Sequence, residues 1–401
     1  MANRGMTWML SCIVAVLLAI GGDPAGAQSA AKKEILIGYS ISLTGKFSTE
    51  GSETHRSYQM WADEVNQQGG IAVKEAGGKL PVKLLYYDDA SDTNNAIKNY
   101  ERVITKDEVD LIFSPWGSGH NFAVTPLTDK YKYPVLLSSA AADAIFQRGF
   151  THVFEVTQLS SNMYNAYADY LISQKDRIKT VAIAYENFLF TQTLHDAIKP
   201  KLEKAGIRIV VDEQYPLGGQ DFTSMLTKVR AAKPDAVLLI NIMPSSVYAT
   251  RQMNELGIKP KFYGVNIGPM YTEEFIGKLG AISEGVVENG FWHPDLPFDG
   301  AKSFYERYEA KYKKKPSTDA AYAFIGAQIL KQAVERAGTL DRARITATLR
   351  AGTFETIFGT YQYDEKGINK NQMTFLCQVQ DGKRVIVWPK DITKNELRMA
   401  P

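Results

Sequence analysis

The chain is poor in cysteine and histidine, and it carries no block of one charge. Of two cysteines in 401 residues, Cys12 lies in an apolar N-terminal run and Cys377 in "MTFLCQV". Loss of that run leaves one thiol and no internal disulfide, and Cys377 reads as a small core residue. The five histidines, at 55, 120, 152, 195 and 293, lack metal-ligand spacing. With 46 basic and 44 acidic residues the net charge is +2. The one basic cluster, residues 311–316, reads as a solvated helix end. Nucleic acid and acidic membranes are therefore poor partners. There is no GxxxxGK[ST] phosphate loop and no GxSxG elbow. "GSGHNF" has two glycines of a dinucleotide fingerprint but Phe122 where the third belongs. No catalytic constellation assembles, and neither cofactor nor metal is expected.

Long apolar runs are also missing beyond the start. Arg4, the apolar residues 9–20 and "AGA" at 25–27 make residues 1–27 a secretory leader. Cys12 lies inside the apolar run instead of after it, which argues against a lipoprotein box. Nothing later is long and apolar enough to span a bilayer. The expectation is an exported, periplasmic protein that does not cross the membrane.

What is present is a regular alternation. Residues 34–40, 80–89, 110–116 and 133–140 read as strands, separated by helical spacing over 52–70, 93–107 and 120–132. The pattern resumes with strands at 180–186, 207–215, 235–242 and 261–266, again separated by helices. Alternating strand and helix predicts parallel sheets covered on both faces. With this length, the fold class expected is α/β, with two doubly wound lobes. The breaks fall near 151–157, 284–292 and 358–367, three crossings that return the chain to its first lobe and then to its second. The expected division is 32–152 plus 287–356 for one lobe and 153–286 plus 357–395 for the other.

In an open parallel sheet, ligands sit beyond the carboxyl ends of the strands where strand order reverses. "SPWGSGH", residues 114–120, is such an end. The following helix offers unpaired N–H groups and partial positive charge. Gly117 and Gly119 let a ligand reach backbone, and Ser118 adds a hydroxyl: a cradle for a carboxylate. The same residues also make a plain turn with Ser118 as N-cap, and taken alone they leave both readings open. A second small-residue end, "SSAAAD" at 138–143, favours the cradle. His120 is the one histidine within it. The carboxylates of "YYDDASD", 86–92, lack the further ligands of a cation loop and read as caps and turns.

With "IGYSISLTGKFSTEG", "VNQQGGI", "VKLLYYDDASD", "SPWGSG", "YPVLLSSAAAD" and "FGTYQYDEKG" in this order, the chain resembles the periplasmic substrate-binding proteins of ABC importers, in the leucine/isoleucine/valine-binding group. The resemblance covers nearly all of the mature chain. It implies two lobes that close on a small ligand, a membrane permease with ATPase subunits as partners, and a monomer. It places the anion-binding serine on Ser118 and the backbone-donating loop on Ala140, Ala141 and Ala142. The stacking aromatic of the second lobe falls on Phe190. Three positions depart from the family. Ala142 replaces a threonine, Glu50 a tyrosine, and Asn266 the acid that neutralises an amino acid's ammonium. A buried ammonium needs a charge partner. Either Glu50 supplies it or the ligand has none, and the residues favour the second. Trp116, Phe47, Phe190 and Trp292 would then line an aromatic slot for an aromatic or aliphatic acid. Ordinary core packing is the competing reading for these rings. A transport receptor is the expected function. A sensor subunit would use the same cleft, and an exported hydrolase would need an oriented base beside its nucleophile.

Overall fold

The computed structural model describes residues 32–400, so the leader lies outside the described residues. The first sheet has Ile35–Ile41 at its centre. Val82–Asp88 pairs with it on one side and Leu111–Ile112 on the other, both parallel. The strand expected over 110–116 enters the ladder for two residues, because Pro115 has no N–H to donate. Its continuation is held by side chains instead. Ser138 N donates to Ser114 Oγ at 3.0 Å, and the Tyr58 hydroxyl donates to Ser114 O and Ser138 Oγ. Beyond it, Val135–Leu137 pairs in parallel with Val153–Glu155.

A second sheet of seven strands runs in the order Lys383–Trp388, Phe375–Gln380, Val287–Gly290, Phe262–Val265, Ala236–Ile240, Thr180–Glu186, Arg208–Tyr215. Five are parallel, and the two from the C-terminal segment add on antiparallel. In both sheets the earliest strand has later strands on both sides, so each has a switch point where loops diverge. Buried Val, Ile and Leu make the central strands apolar on both faces, as in Ala236–Ile240, which is wholly buried. Cys377 is buried there, its thiol pushed up to about 12 by burial, so it stays an inert core group.

Two expected breaks fall one strand too early. Val153–Glu155, placed beyond the break at 152, pairs with Val135–Leu137 of the first half. Val287–Gly290, placed in the first lobe, is hydrogen-bonded inside the seven-stranded sheet. Both are short runs, and pairing partners rather than local pattern decide where they belong. The third break, at 356/357, falls in the turn of a hairpin formed by Thr353–Thr356 and Gly359–Gln362.

Candidate ligand-binding site

The turn after Leu111–Ile112 is built by glycine. Gly117 stands at the N-cap of helix Ser118–Lys130 with φ 88°, a conformation that favours glycine. Ser118 is therefore the first helical residue and not the cap, which corrects the capping reading. Its hydroxyl accepts from Ala141 N at 3.1 Å and Ala142 N at 3.2 Å. Gly117 N donates to Ser139 O at 2.9 Å, fastening the two small-residue loops together. The Asn121 amide donates to the carbonyls of Pro115 and Gly117, holding the turn from beneath.

These loops open on a cavity with about 40 Å³ accessible to water, room for roughly three waters. Trp116, Gly117, Ser118, Ser139 and Ala141 form one wall. Phe188, Phe190, Ile267 and Met270, which follow strands of the seven-stranded sheet, form the other. Thr318 and Asp319, at the start of helix Thr318–Ala337, complete it with Tyr322. The rings of Trp116 and Phe188 lie nearly parallel, with centroids 6.4 Å apart and planes within 7°. Phe188 packs over both glycines of the turn: a Cβ on Gly117 would lie 3.7 Å from it and one on Gly119 3.4 Å. The small residues thus leave room for an aromatic ring from the opposite side as well as for a ligand.

Of the residues singled out from sequence, Trp116, Ser118, Ala141 and Phe190 come together at this cavity, and Ala142 contributes its amide to Ser118. Ala140, in the second loop, and Gly119, in the first turn of helix Ser118–Lys130, do not line it. The remaining candidates are set back. Phe47 packs against Trp116 and Phe188, with centroids at 5.1 and 5.5 Å, as backing for the aromatic wall. His120 is buried with its Nε2 3.9 Å from Asp89 Oδ1, and burial lowers its pKa despite that carboxylate. Trp292 is core, its indole donating to Ile357 O at 3.2 Å. Asn266 is buried, does not line the cavity, and points its amide at Asn241 O, 3.4 Å away. Glu50 is fully buried and off the cavity wall. Burial drives its pKa well up, against the pull of its own backbone N–H and that of Met243. The "YYDDASD" carboxylates cap and turn as expected: Asp92 accepts from Asn95 N at 2.9 Å, and Asp88 from Leu43 N and Ala90 N.

Asp319, Tyr271 and Phe188 were not legible from pattern. The Tyr271 hydroxyl, from the segment after Phe262–Val265, donates to the Asp319 carboxylate. Burial pushes the Asp319 carboxyl up to about 6, against the pull of Tyr271, Trp116 and Ser139, which face it. Only their helical or strand-end neighbours hinted at a role, because nothing local in "STDAAY" separates a site acid from a helix N-terminal acid.

Two α/β lobes with doubly wound parallel sheets, joined by three crossings around a cleft at the strand ends, define a type I periplasmic binding fold. The model of the periplasmic binding protein family matches residues 34–384, and the chain belongs to that family. It is 27% identical over 381 residues to a leucine-, isoleucine-, valine-, threonine- and alanine-binding protein of Pseudomonas aeruginosa, covering 93% of this chain and 94% of that one. Its fold is similar to that of a branched-chain amino acid transporter substrate-binding protein from Streptococcus pneumoniae, solved with isoleucine. There the TM-score is 0.76 at 22% identity, over 89% of this chain and 100% of that one. It is also similar to an ABC-transporter solute-binding protein of Rhodopseudomonas palustris solved with benzoate, with a TM-score of 0.77 at 20% identity, over 88% and 95%. Among the described residues no helix is long and apolar enough to cross a membrane.

Proposed function

We propose that this chain is the extracytoplasmic receptor of an ABC-type uptake system and captures a small carboxylate-bearing ligand by lobe closure. The observation that carries this reading is the meeting of Ser118 and the Ala141–Ala142 amides with an aromatic wall from the other sheet, around one cavity. A carboxylate would take hydrogen bonds from Ser118, from the helix N-terminus and from the neighbouring amides. Trp116, Phe188 and Phe190 would cover its apolar body. The relatives that bind branched-chain amino acids or benzoate support a ligand of this size and charge.

In this reading the lobes divide after strand Val153–Glu155, after strand Val287–Gly290 and near the hairpin turn at 357–358. Closure follows when ligand contacts in the closed state outweigh those in the open one. The closed form, a monomer, then meets a membrane permease whose ATPase subunits drive import. The leader is removed on export to the periplasm. No chemistry on the ligand is required: the Ser118 hydroxyl accepts from amides, and among the described residues no base is oriented on it as a nucleophile demands. A thermal-shift panel of branched-chain amino acids, their keto acids, and benzoate- and cinnamate-type acids tests this. A cognate acid should raise the melting temperature of wild type and do so far less for Ser118→Ala. A panel in which no acid stabilises the chain, or a Ser118→Ala protein that responds like wild type, rejects it.

A further inference from the structure

Asp319 stands where a receptor for a simple anion should have no charge of that sign. Its residue is 9% exposed and lines the cavity, and it is the one carboxylate among residues that include no lysine, arginine or histidine. It is also close to the cradle. Two of the side chains facing it are Trp116, next to Gly117, and Ser139, whose carbonyl takes the Gly117 N–H. Polar capacity there is unspent: the Thr318 hydroxyl lines the cavity and has no hydrogen-bond partner. A carboxylate seated on Ser118 would sit near a second carboxylate with no cation to compensate, and like charges oppose each other's ionisation. A hydrogen-bond donor on the ligand, next to its own carboxylate, removes the conflict.

The geometry points to Asp319 as a specificity-determining residue that faces an ammonium or hydroxyl donor on the ligand. It acts from the start of helix Thr318–Ala337, not from the end of strand Phe262–Val265 where the resemblance places the missing acid. This rests on the reading of the cleft as a carboxylate-capturing site. Asn266 does not line the cavity and turns its amide to Asn241, and Glu50 lies off the wall, so neither takes the role. Here Asp319 makes a donor-bearing acid the preferred ligand and disfavours its donor-free analogue.

Isothermal titration at pH 7.5 tests this with leucine, valine and phenylalanine, their 2-hydroxy and 2-oxo analogues, and benzoate. Wild type is expected to bind an amino or hydroxy acid at least tenfold more tightly than the matching oxo acid. The amine and hydroxyl arms tell a charged donor from a neutral one. Asp319→Asn should weaken the donor-bearing ligand at least tenfold and leave the oxo acid unchanged or tighter. Glu50→Gln should keep the wild-type ratio. A wild type that prefers the oxo acid or benzoate overturns the inference. So does an Asp319→Asn protein with the wild-type ratio, or a ratio lost only in Glu50→Gln. Should Asp319→Asn not fold, the wild-type and Glu50→Gln ratios still decide. Failure of the underlying reading has a different signature: no acid binds wild type, or Ser118→Ala binds every acid as wild type does, and this inference then falls with it.

Discussion

Ser118 shows how much one hydroxyl can organise. It is an acceptor for two amides, and a carboxylate arriving at the turn meets a donor already oriented by them. Ser118→Ala should weaken a cognate acid by about 10- to 100-fold, the equivalent of about 1.5–3 kcal/mol for a hydrogen bond to a charged group, measured by calorimetry. Asp319 makes an opposite contribution to stability. Its folded-state value of about 6 lies above that of an unfolded aspartate, so the folded chain keeps a proton the unfolded one releases. That contribution is fully present below about pH 4 and is lost as pH rises through about 6. Asp319→Asn should therefore stabilise the ligand-free protein by about 1–3 kcal/mol at pH 7 and hardly at all near pH 4. Urea melts at the two pH values check this. Glu50 has the same sign, its pKa raised by burial, and Glu50→Gln should likewise raise the melting temperature more at pH 7 than at pH 4.

At the scale of elements, close approach decides which residues are allowed. Helix Ser48–Gln67 presses its first turn onto the chain after Ile35–Ile41, and a Cβ on Gly51 would collide with the Ser42 carbonyl. Backbone cannot rotate away, so Gly51→Ala should cost about 1–3 kcal/mol, read as a lower urea midpoint with an unchanged slope. The strands and helices themselves were legible because their signal is local: a run such as "AVLLI" is apolar on both faces wherever it sits. The short strands Val153–Glu155 and Val287–Gly290 were assigned to the wrong halves for the converse reason. Three or four residues carry no record of which ladder they join.

For the whole molecule, the Tyr271–Asp319 hydrogen bond ties a segment following the seven-stranded sheet to a helix packed on Ser48–Gln67, where Ser57 Oγ donates to Ala320 O at 2.5 Å. Tyr271→Phe should bias the chain toward a more open form and weaken ligand binding by about fivefold, from about 1 kcal/mol lost per hydrogen bond. Small-angle scattering with and without ligand checks it: saturating ligand should compact wild type, and the variant should need more ligand for the same change. Ligand at 100 times its Kd should add about 2.7 kcal/mol to stability by mass action.

The sequence by itself determined the α/β alternation, the glycine-built turn at Ser118 and the family, because periodicity, turn chemistry and motif order are written along the chain. Only the tertiary structure decided which side chains meet. It moved Glu50, His120, Asn266 and Trp292 off the cavity, brought Asp319 and Phe188 onto it, and set Tyr271 behind Asp319 as its hydrogen-bond donor. The reason is physical. Whether a buried carboxylate faces a ligand or a core depends on the packing of segments remote in sequence, and that packing leaves no local pattern to read.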